Sequence, residues 1–144
     1  MTKTLLDLAN NLEKRAANLQ AKGCRVAVSA ALSIIDDLSN ITPVDTSKAV
    51  SNWQVTLGSK TDARLNPHYP GEYGSTKSPS SKATRDNARN VLQSKKPGVT
   101  IYISNTLPYI LELNEGSSRQ APAGFVQRSV LIGRKFVRKA KIRF

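Results

Sequence analysis

A helical repeat of apolar residues, which begins near the start of the chain and continues to about residue 39, constrains the fold more than any other feature. Leu5, Leu8 and Leu12 recur at steps of three and four, and polar residues fill the opposite face. Gly23 interrupts the repeat at a cost of about 1 kcal/mol relative to alanine. The apolar spacing then resumes to about Ser39. The repeat predicts either one long helix bent at Gly23 or two helices in series.

Residues 40–46 form the boundary that ends this helical stretch. Pro43 disfavours the helical conformation at Thr42. We expect Asp45 to act as N-cap of a short helical turn over residues 47–51, with Thr42 as the alternative cap of the same turn. Residues 53–57 alternate between apolar and polar, which predicts a strand with one buried face.

Residues 58–98 have a different composition and predict a long, basic loop. Their only large aliphatic residues are Leu65, Val91 and Leu92, and prolines and glycines recur among serines and lysines. A loop of this length is uncommon inside a compact domain. Within it, residues 82–93 predict a weak helix that places Ala88, Val91 and Leu92 on one face.

The remainder of the chain predicts a second strand and two helices. Residues 99–104 alternate again, and we expect this strand to pair with residues 53–57. A short helix is predicted over 109–115, with Gly116 ending it. A last helix over about 125–139 is predicted to place Phe125, Ser129, Ile132 and Phe136 on one face, and residues 141–144 to add an edge strand. The sequence therefore predicts one α+β domain over residues 1–144, with a small antiparallel sheet and a long loop at about 58–98.

The chain carries a net charge of +12, and this charge is unevenly distributed. Residues 1–57 contribute +1, residues 58–98 contribute +5, residues 99–118 contribute −2 and residues 119–144 contribute +8. Such a field attracts polyanions without specifying a fold. The longest apolar-rich stretch, residues 27–35, is far shorter than the roughly 20 residues that a membrane span needs. We therefore expect no association with a membrane.

Residues able to support catalysis are few and scattered. His68 is the only histidine, and the single cysteine, Cys24, excludes an internal disulfide. Asp36–Asp37 diverge by about 100° on a helix, so they cannot share a proton or a metal ion. Glu112 and Glu115 share one helix face and are best interpreted as a solvated face. The sequence thus predicts no catalytic, metal-binding or cofactor-binding residues.

The basic residues favour one alternative function. Lysine and arginine side chains near tyrosines can follow a phosphate backbone, so a small basic DNA-binding protein is a rival hypothesis. The sequence contains no zinc finger, RNA-binding aromatic strand or clear helix-turn-helix. Contact with DNA is therefore expected to be nonspecific.

Three segments of the chain resemble the neck family of tailed bacteriophages, the tail-completion and tail-to-head joining proteins. The first motif segment, residues 42–53, reads Thr-Pro-Val-Asp-Thr and ends in Ser-Asn-Trp. The second, residues 103–116, carries Asn105, Pro108-Tyr109 and Glu115-Gly116, and Glu112 is an equally good match to the family glutamate. The third, residues 120–126, contains the proline that opens the last helix. Ser47 and Asn114 depart from the family pattern.

The resemblance implies a virion structural protein that is no enzyme and uses no cofactor. Family members form rings, hexameric or, in the connector layer, dodecameric, which join the tail to the head connector or terminate the tail. The expected partners are copies of the chain, adjacent neck and tail-tube proteins, and double-stranded DNA in the channel through nonspecific contact. Assembly would take place in the host cytoplasm and the mature location would be the virion.

Two sets of residues follow from these expectations. The motif set, in which Trp53, Tyr109 and Phe125 are expected to be core or interface anchors, comprises Pro43, Asp45, Thr46, Trp53, Asn105, Pro108, Tyr109, Glu112, Gly116, Pro122 and Phe125. The basic set, expected to face ring contacts or the DNA channel, comprises Lys77, Lys82, Arg85, Arg89, Arg134, Lys135, Arg138 and Lys139.

Overall fold

A computed structural model describes residues 4–140 of the chain, and its first element is a long helix, α1, over Leu5–Ile41. Thr4 caps it through a reciprocal pair of hydrogen bonds with Asp7, which satisfies two otherwise unpaired N–H groups. The helix runs through Gly23, where a β-carbon would meet no atom within 4 Å. One continuous helix is therefore formed, and the alternative of two helices in series is wrong.

Two short strands form the sheet. Strand β1 covers Gln54–Leu57 and strand β2 covers Ile101–Ser104. They pair antiparallel, with Val55 opposite Ile103. The predicted pairing of these two segments is confirmed, as is the mixed α+β class with its small antiparallel sheet.

The predicted long loop contains a 16-residue helix, here called α3, over Lys77–Leu92. Its buried face consists mainly of small polar side chains, and two of them donate hydrogen bonds to backbone carbonyls: Ser81 to Ser39 (2.8 Å) and Thr84 to Val50 (2.9 Å). The helix predicted over 82–93 is therefore present but begins earlier, at Lys77, and the expectation of a loop is wrong for residues 77–92. Hydrophobic spacing indicated only the second half of α3, because the first half buries hydroxyl groups that find partners inside the protein.

Residues 4–140 contain three further helices: α2 over Lys48–Ser51, α4 over Ile110–Asn114 and α5 over Phe125–Lys139. Gly116 has φ 97° and follows α4, and the amide of Ser117 reaches back to the carbonyl of Glu112. This left-handed ending, in which glycine avoids a steric penalty, agrees with the predicted role of Gly116.

The core lies where α1, α3, α5 and the sheet meet, and Ile35, Leu38 and Phe125 are almost completely buried there. The face of α5 differs from the prediction. Phe125, Ser129 and Gly133 are its buried residues, whereas Phe136 is 42% exposed. The buried residues of α5 are four positions apart, because α5 approaches α1 closely at Gly133. Phe136 lies outside this row of residues.

The predicted edge strand over 141–144 lies outside the described residues. Across residues 4–140, no helix combines the length and the apolar character needed to cross a membrane.

Candidate functional site

The first two motif segments meet at a cleft of about 260 Å³ on the protein surface. One side is the turn between α1 and α2, and the other is formed by α4 and the loop that follows it. The lining residues are Pro43, Val44, Asp45, Thr46, Lys48, Ala49, Tyr109, Leu113, Ser118 and Gln120. The cleft therefore brings together positions that are distant in sequence.

The turn is anchored to the core through Thr42. Its hydroxyl donates to the carbonyl of Leu38 (2.5 Å) in the last turn of α1 and accepts from the indole Nε1 of Trp53 (2.9 Å). Both side chains are buried, so each hydrogen bond satisfies a group that water cannot reach. The predicted role of Thr42 as an N-cap of α2 is wrong, because its hydroxyl is used in these two bonds. Trp53 is a core anchor, as predicted.

Asp45 is not the N-cap of α2 either. Its carboxylate accepts from the amide of Tyr73 (2.7 Å), and its carbonyl accepts from the amide of Gly74 (2.8 Å). The residue before α2 is Ser47, which makes no capping bond. Asp45 therefore ties the turn to residues 73–74, because its side chain and carbonyl both face that segment.

Ser47 adopts the left-handed conformation, with φ 70°. Glycine is favoured at such a position, since other residues pay about 1–2 kcal/mol there. The Ser47 hydroxyl forms a hydrogen bond of 2.8 Å with that of Thr76, just before α3. Ser47 thus keeps the costly backbone while gaining a side-chain contact that glycine lacks.

Gln120 closes the cleft in a way that the sequence motifs did not reveal. Its side-chain amide forms two hydrogen bonds with the backbone of Val44: the Val44 amide donates to Oε1 (2.8 Å) and Nε2 donates to the carbonyl (3.1 Å). This pairing resembles one rung of a β-ladder and holds the third motif segment against the first. No spacing rule links the two positions, because they lie 76 residues apart.

The second motif segment joins the first through Asn105. Its Nδ2 donates to the carbonyl of Ala49 at the base of the cleft (3.0 Å), and its Oδ1 accepts from the amide of Leu107. Tyr109, at the other wall, is partly exposed, and burial raises the pKa of its hydroxyl from the usual tyrosine value. Tyr109 offers a hydroxyl and an aromatic face to a partner.

Asn114 links α4 to α5 and was also missed as a structural residue. Its carbonyl accepts from the amide of Gly124 (2.6 Å), and its Oδ1 accepts from the amide of Val126 (2.9 Å). These amides lie at the start of α5, where N–H groups have no partner inside the helix. Asn114 therefore caps α5 from a neighbouring helix.

The remaining motif residues are divided between core and surface. Phe125 is fully buried and Pro43 is buried, whereas Thr46, Pro108, Glu112 and Pro122 are exposed. Pro122 precedes α5 by two residues and does not open it directly. Thr46 lines the cleft, so it is available for contact with a partner.

The basic set is divided between two faces of α1. Asp36 is 4.0 Å from Arg89 of α3, whereas Asp37 accepts from Ser129 and is 3.5 Å from Arg128 of α5. Consecutive residues of a helix point about 100° apart. The predicted divergence of the two aspartates is thus confirmed, and α3 and α5 lie on different sides of α1.

On α3 much of the predicted positive charge is neutralised locally. Lys82 forms an ion pair of 2.8 Å with Asp86, and this hydrogen bond is the main cause of a lowered pKa for that carboxyl. Arg89 also approaches Asp86 (3.6 Å), and Arg85 donates to Asn40 (3.4 Å). Lys77 and Arg85 line a polar hollow near the start of α3.

On α5 the predicted basic residues are exposed. Arg134, Lys135, Arg138 and Lys139 occupy its last two turns. Arg134 and Arg138 lie beside an apolar hollow between α1 and α5. Within residues 4–140, neither has a carboxylate within 4.0 Å. The net positive field is therefore stronger on α5 than on α3.

Groups with potential for chemistry lie apart from the cleft. His68 is half-buried beside Trp53, and burial lowers the pKa of its imidazole. Near the middle of α1, the Cys24 sulfur lies 3.7 Å from the ammonium of Lys95, which follows α3. Over the described range 4–140, no three residues of the metal-ligating types cluster. What the cleft offers is a shaped surface with Asp45 and Lys48 as its charged groups.

Comparison of the chain with known protein families, with curated proteins and with solved structures found no match.

Proposed function

We propose that this chain is a structural protein of the neck of a tailed bacteriophage, which forms a ring that joins the tail to the head connector or completes the tail. The observation that carries the proposal is the cleft. The first motif segment contributes residues 43–46, 48 and 49 to it, and the second contributes Tyr109 and Leu113. Residues that carry the resemblance, although separated in sequence, thus share one surface.

The way in which the cleft is held supports a role in binding protein. Thr42, Gln120 and Asn105 fix its backbone through hydrogen bonds, so the surface is rigid before a partner arrives. Rigid surfaces bind with a smaller entropic cost. Exposed Thr46 and partly exposed Tyr109 give it a polar and an aromatic contact. We infer that this cleft contacts an adjacent ring of the neck.

The proposal is tested in a phage that carries the gene, with a nonsense mutation early in the reading frame. We expect electron micrographs to show full heads and tails that are not joined. Heads joined to tails should reappear when the wild-type chain is supplied from a plasmid. Mass spectrometry should detect the chain in purified virions. Normal virions that lack the chain would refute the proposal.

A cleft variant makes the same test more specific. Thr46→Arg places a large charged side chain at the cleft while leaving the buried anchors intact, and Thr61→Arg on the loop after β1 is the matched control. We expect the Thr46 variant to fold normally and to lose complementation, and the control to complement. Equal complementation by both variants would mean that the cleft is not needed for assembly of the neck.

The rival function, a small basic DNA-binding protein, is distinguished by the salt dependence of binding. Nanomolar affinity for short duplexes with a steep dependence on salt would favour the rival. Weak binding that is independent of sequence and vanishes near physiological salt is the result we expect. The charged residues of α5 permit such contact, whereas those of α3 are partly neutralised by Asp86 and Asp36.

A further inference from the structure

The first half of α1 projects away from the rest of the protein. The contacts of α5 fix where the body ends: Ser129 lies beside Asp37, and Gly133 lies beside Ile34 and Ala30. The two helices are therefore antiparallel, and α5 ends at Lys139 close to the middle of α1. At about 1.5 Å per residue, roughly 30 Å of α1 extends beyond α5. We call residues 5–19 the arm.

The arm carries an apolar stripe that nothing in the described chain covers. Its members are Leu5, which is 86% exposed, with Leu8 and Leu12, each more than half exposed. Leu19 continues the same stripe toward the body. All residues from 4 to 18 are exposed. A helical segment of this length without tertiary contacts is marginally stable in water, so a partner on this stripe would stabilise it.

A groove on the body has the complementary shape. Two apolar hollows, of about 420 and 360 Å³, lie side by side on α1 and share Ala30 and Ile34 as lining residues. Val137 of α5 forms one wall and Ile101 of β2 forms the other. We call this surface the groove. Its floor of small residues leaves room for the large side chains of a docked helix.

The arm carries two acidic residues, Asp7 and Glu13, followed by two basic residues, Lys14 and Arg15, so its net charge is zero. Both acidic residues lie in its outer part, residues 5–13. The groove is flanked by Lys95 on one side and by Arg134 and Arg138 on the other. A pairing of Asp7 or Glu13 with these basic residues would help to fix the register of an apolar contact.

From these observations we propose that the arm of one copy occupies the groove of a second copy. The inference rests on the proposed function, because a ring requires each chain to contact its neighbour. The arm and the groove are different patches of the same chain. A contact between different patches repeats from copy to copy and closes into a ring when the rotation allows it.

The test uses two disabled variants of the full chain, a matched control for each, and light scattering to measure mass. Leu8→Glu with Leu12→Glu disables the arm, and Ala17→Glu with Ala21→Glu on the opposite, exposed face is its control. Val137→Glu disables the groove at a residue 48% exposed. Its control is Leu131→Glu, at a residue of α5 that is 52% exposed and does not line the groove. Circular dichroism verifies that helix content is unchanged.

We expect both controls to assemble like the wild-type chain and both disabled variants to have the mass of one chain, 15.7 kDa. An equal mixture of the two disabled variants should form a pair and nothing larger, because one intact arm meets one intact groove. Assembly of either disabled variant alone at wild-type strength, or failure of the mixture to pair, would overturn the inference.

The wild-type mass separates this inference from the proposed function. A closed ring supports the arm-in-groove contact. A wild-type dimer that both disabled variants abolish supports the contact but contradicts a ring of six or twelve subunits. A wild-type chain that remains a monomer at 100 µM overturns the contact, and the neck function then depends on the virion experiment alone.

Discussion

Thr42 and Trp53 form the hydrogen bond that connects the end of α1 to the start of β1. The indole Nε1 of Trp53 donates to Oγ1 of Thr42 across 2.9 Å in a buried site. The same hydroxyl donates to the carbonyl of Leu38, so one oxygen terminates a helix and orients the only tryptophan of the chain. The turn that lines the cleft begins at this point.

Replacing Thr42 with valine should destabilise the protein by about 1–3 kcal/mol, because the indole N–H is left buried without a partner. Urea denaturation followed by the fluorescence of Trp53 measures the change. Thr42→Ser keeps the hydroxyl and is the control, with a smaller loss expected. Equal losses of stability in the two variants would contradict this expectation, because the hydroxyl of Thr42 would then contribute no more than its methyl group.

Ser47 should tolerate glycine but not valine. Valine is β-branched and meets a steric penalty of about 1–2 kcal/mol or more at φ 70°, and it loses the bond to Thr76. Glycine loses the same bond but relieves the backbone, so we expect it to lie within about 1 kcal/mol of wild type. Thermal unfolding of the two variants gives the comparison. A valine variant as stable as the glycine variant would contradict a left-handed Ser47.

Gly133 should be intolerant of a side chain. A β-carbon there would lie 2.5 Å from Cδ1 of Ile34, so Gly133→Ala should cost about 1–3 kcal/mol through overpacking. In an Ile34→Ala background the same change should become favourable, since alanine is the better helix former by about 1 kcal/mol. Gly23→Ala, at a helical glycine with open space around it, is the matched control and should stabilise the protein. Destabilisation that is unchanged in the Ile34→Ala background would contradict the packing.

His68 should make stability depend on pH. Burial lowers its pKa below 6.5, so the folded state binds the proton less readily than the unfolded state. The unfolded chain therefore takes up more protons as pH falls through 6.5, and the free energy of unfolding should decrease. Urea denaturation at pH 7.5 and at pH 5.5 measures this fall. His68→Gln should show a smaller fall over the same range, and an identical fall in both proteins would refute the contribution of His68.

Local patterns predicted most of the elements. The strands over 54–57 and 101–104 and the helix α5 follow from alternation and helical spacing, and the end of α4 follows from Gly116. Helix α3 was predicted only in its second half, because Ser80, Ser81 and Thr84 are buried by hydrogen bonding and carry no hydrophobic signal. A pattern of apolar residues reports only the part of a core that is apolar.

Four of the ten residues that line the cleft belong to the motif set, and the contacts that form the cleft were not predicted. The motif segments named Pro43, Asp45 and Tyr109, which all line the cleft. The bonds of Gln120 to Val44 and of Asn114 to the start of α5 join parts of the chain whose separation no local rule addresses. Asp45 was wrongly expected to cap α2, because a capping residue and a residue that bonds to a distant loop have the same local sequence.

The sequence by itself determined the long helix, the two strands and the final helix, because each depends on a periodicity that residues a few positions apart establish. Only the tertiary structure decided which faces of these elements are exposed. It places α3 beside Asp36 and α5 beside Asp37, so the basic residues of the two helices lie on different sides of α1, and it leaves the leucines of the arm uncovered. Whether an apolar stripe lies in a core or faces outward depends on the distant chain that packs against it, and spacing along the sequence does not record that.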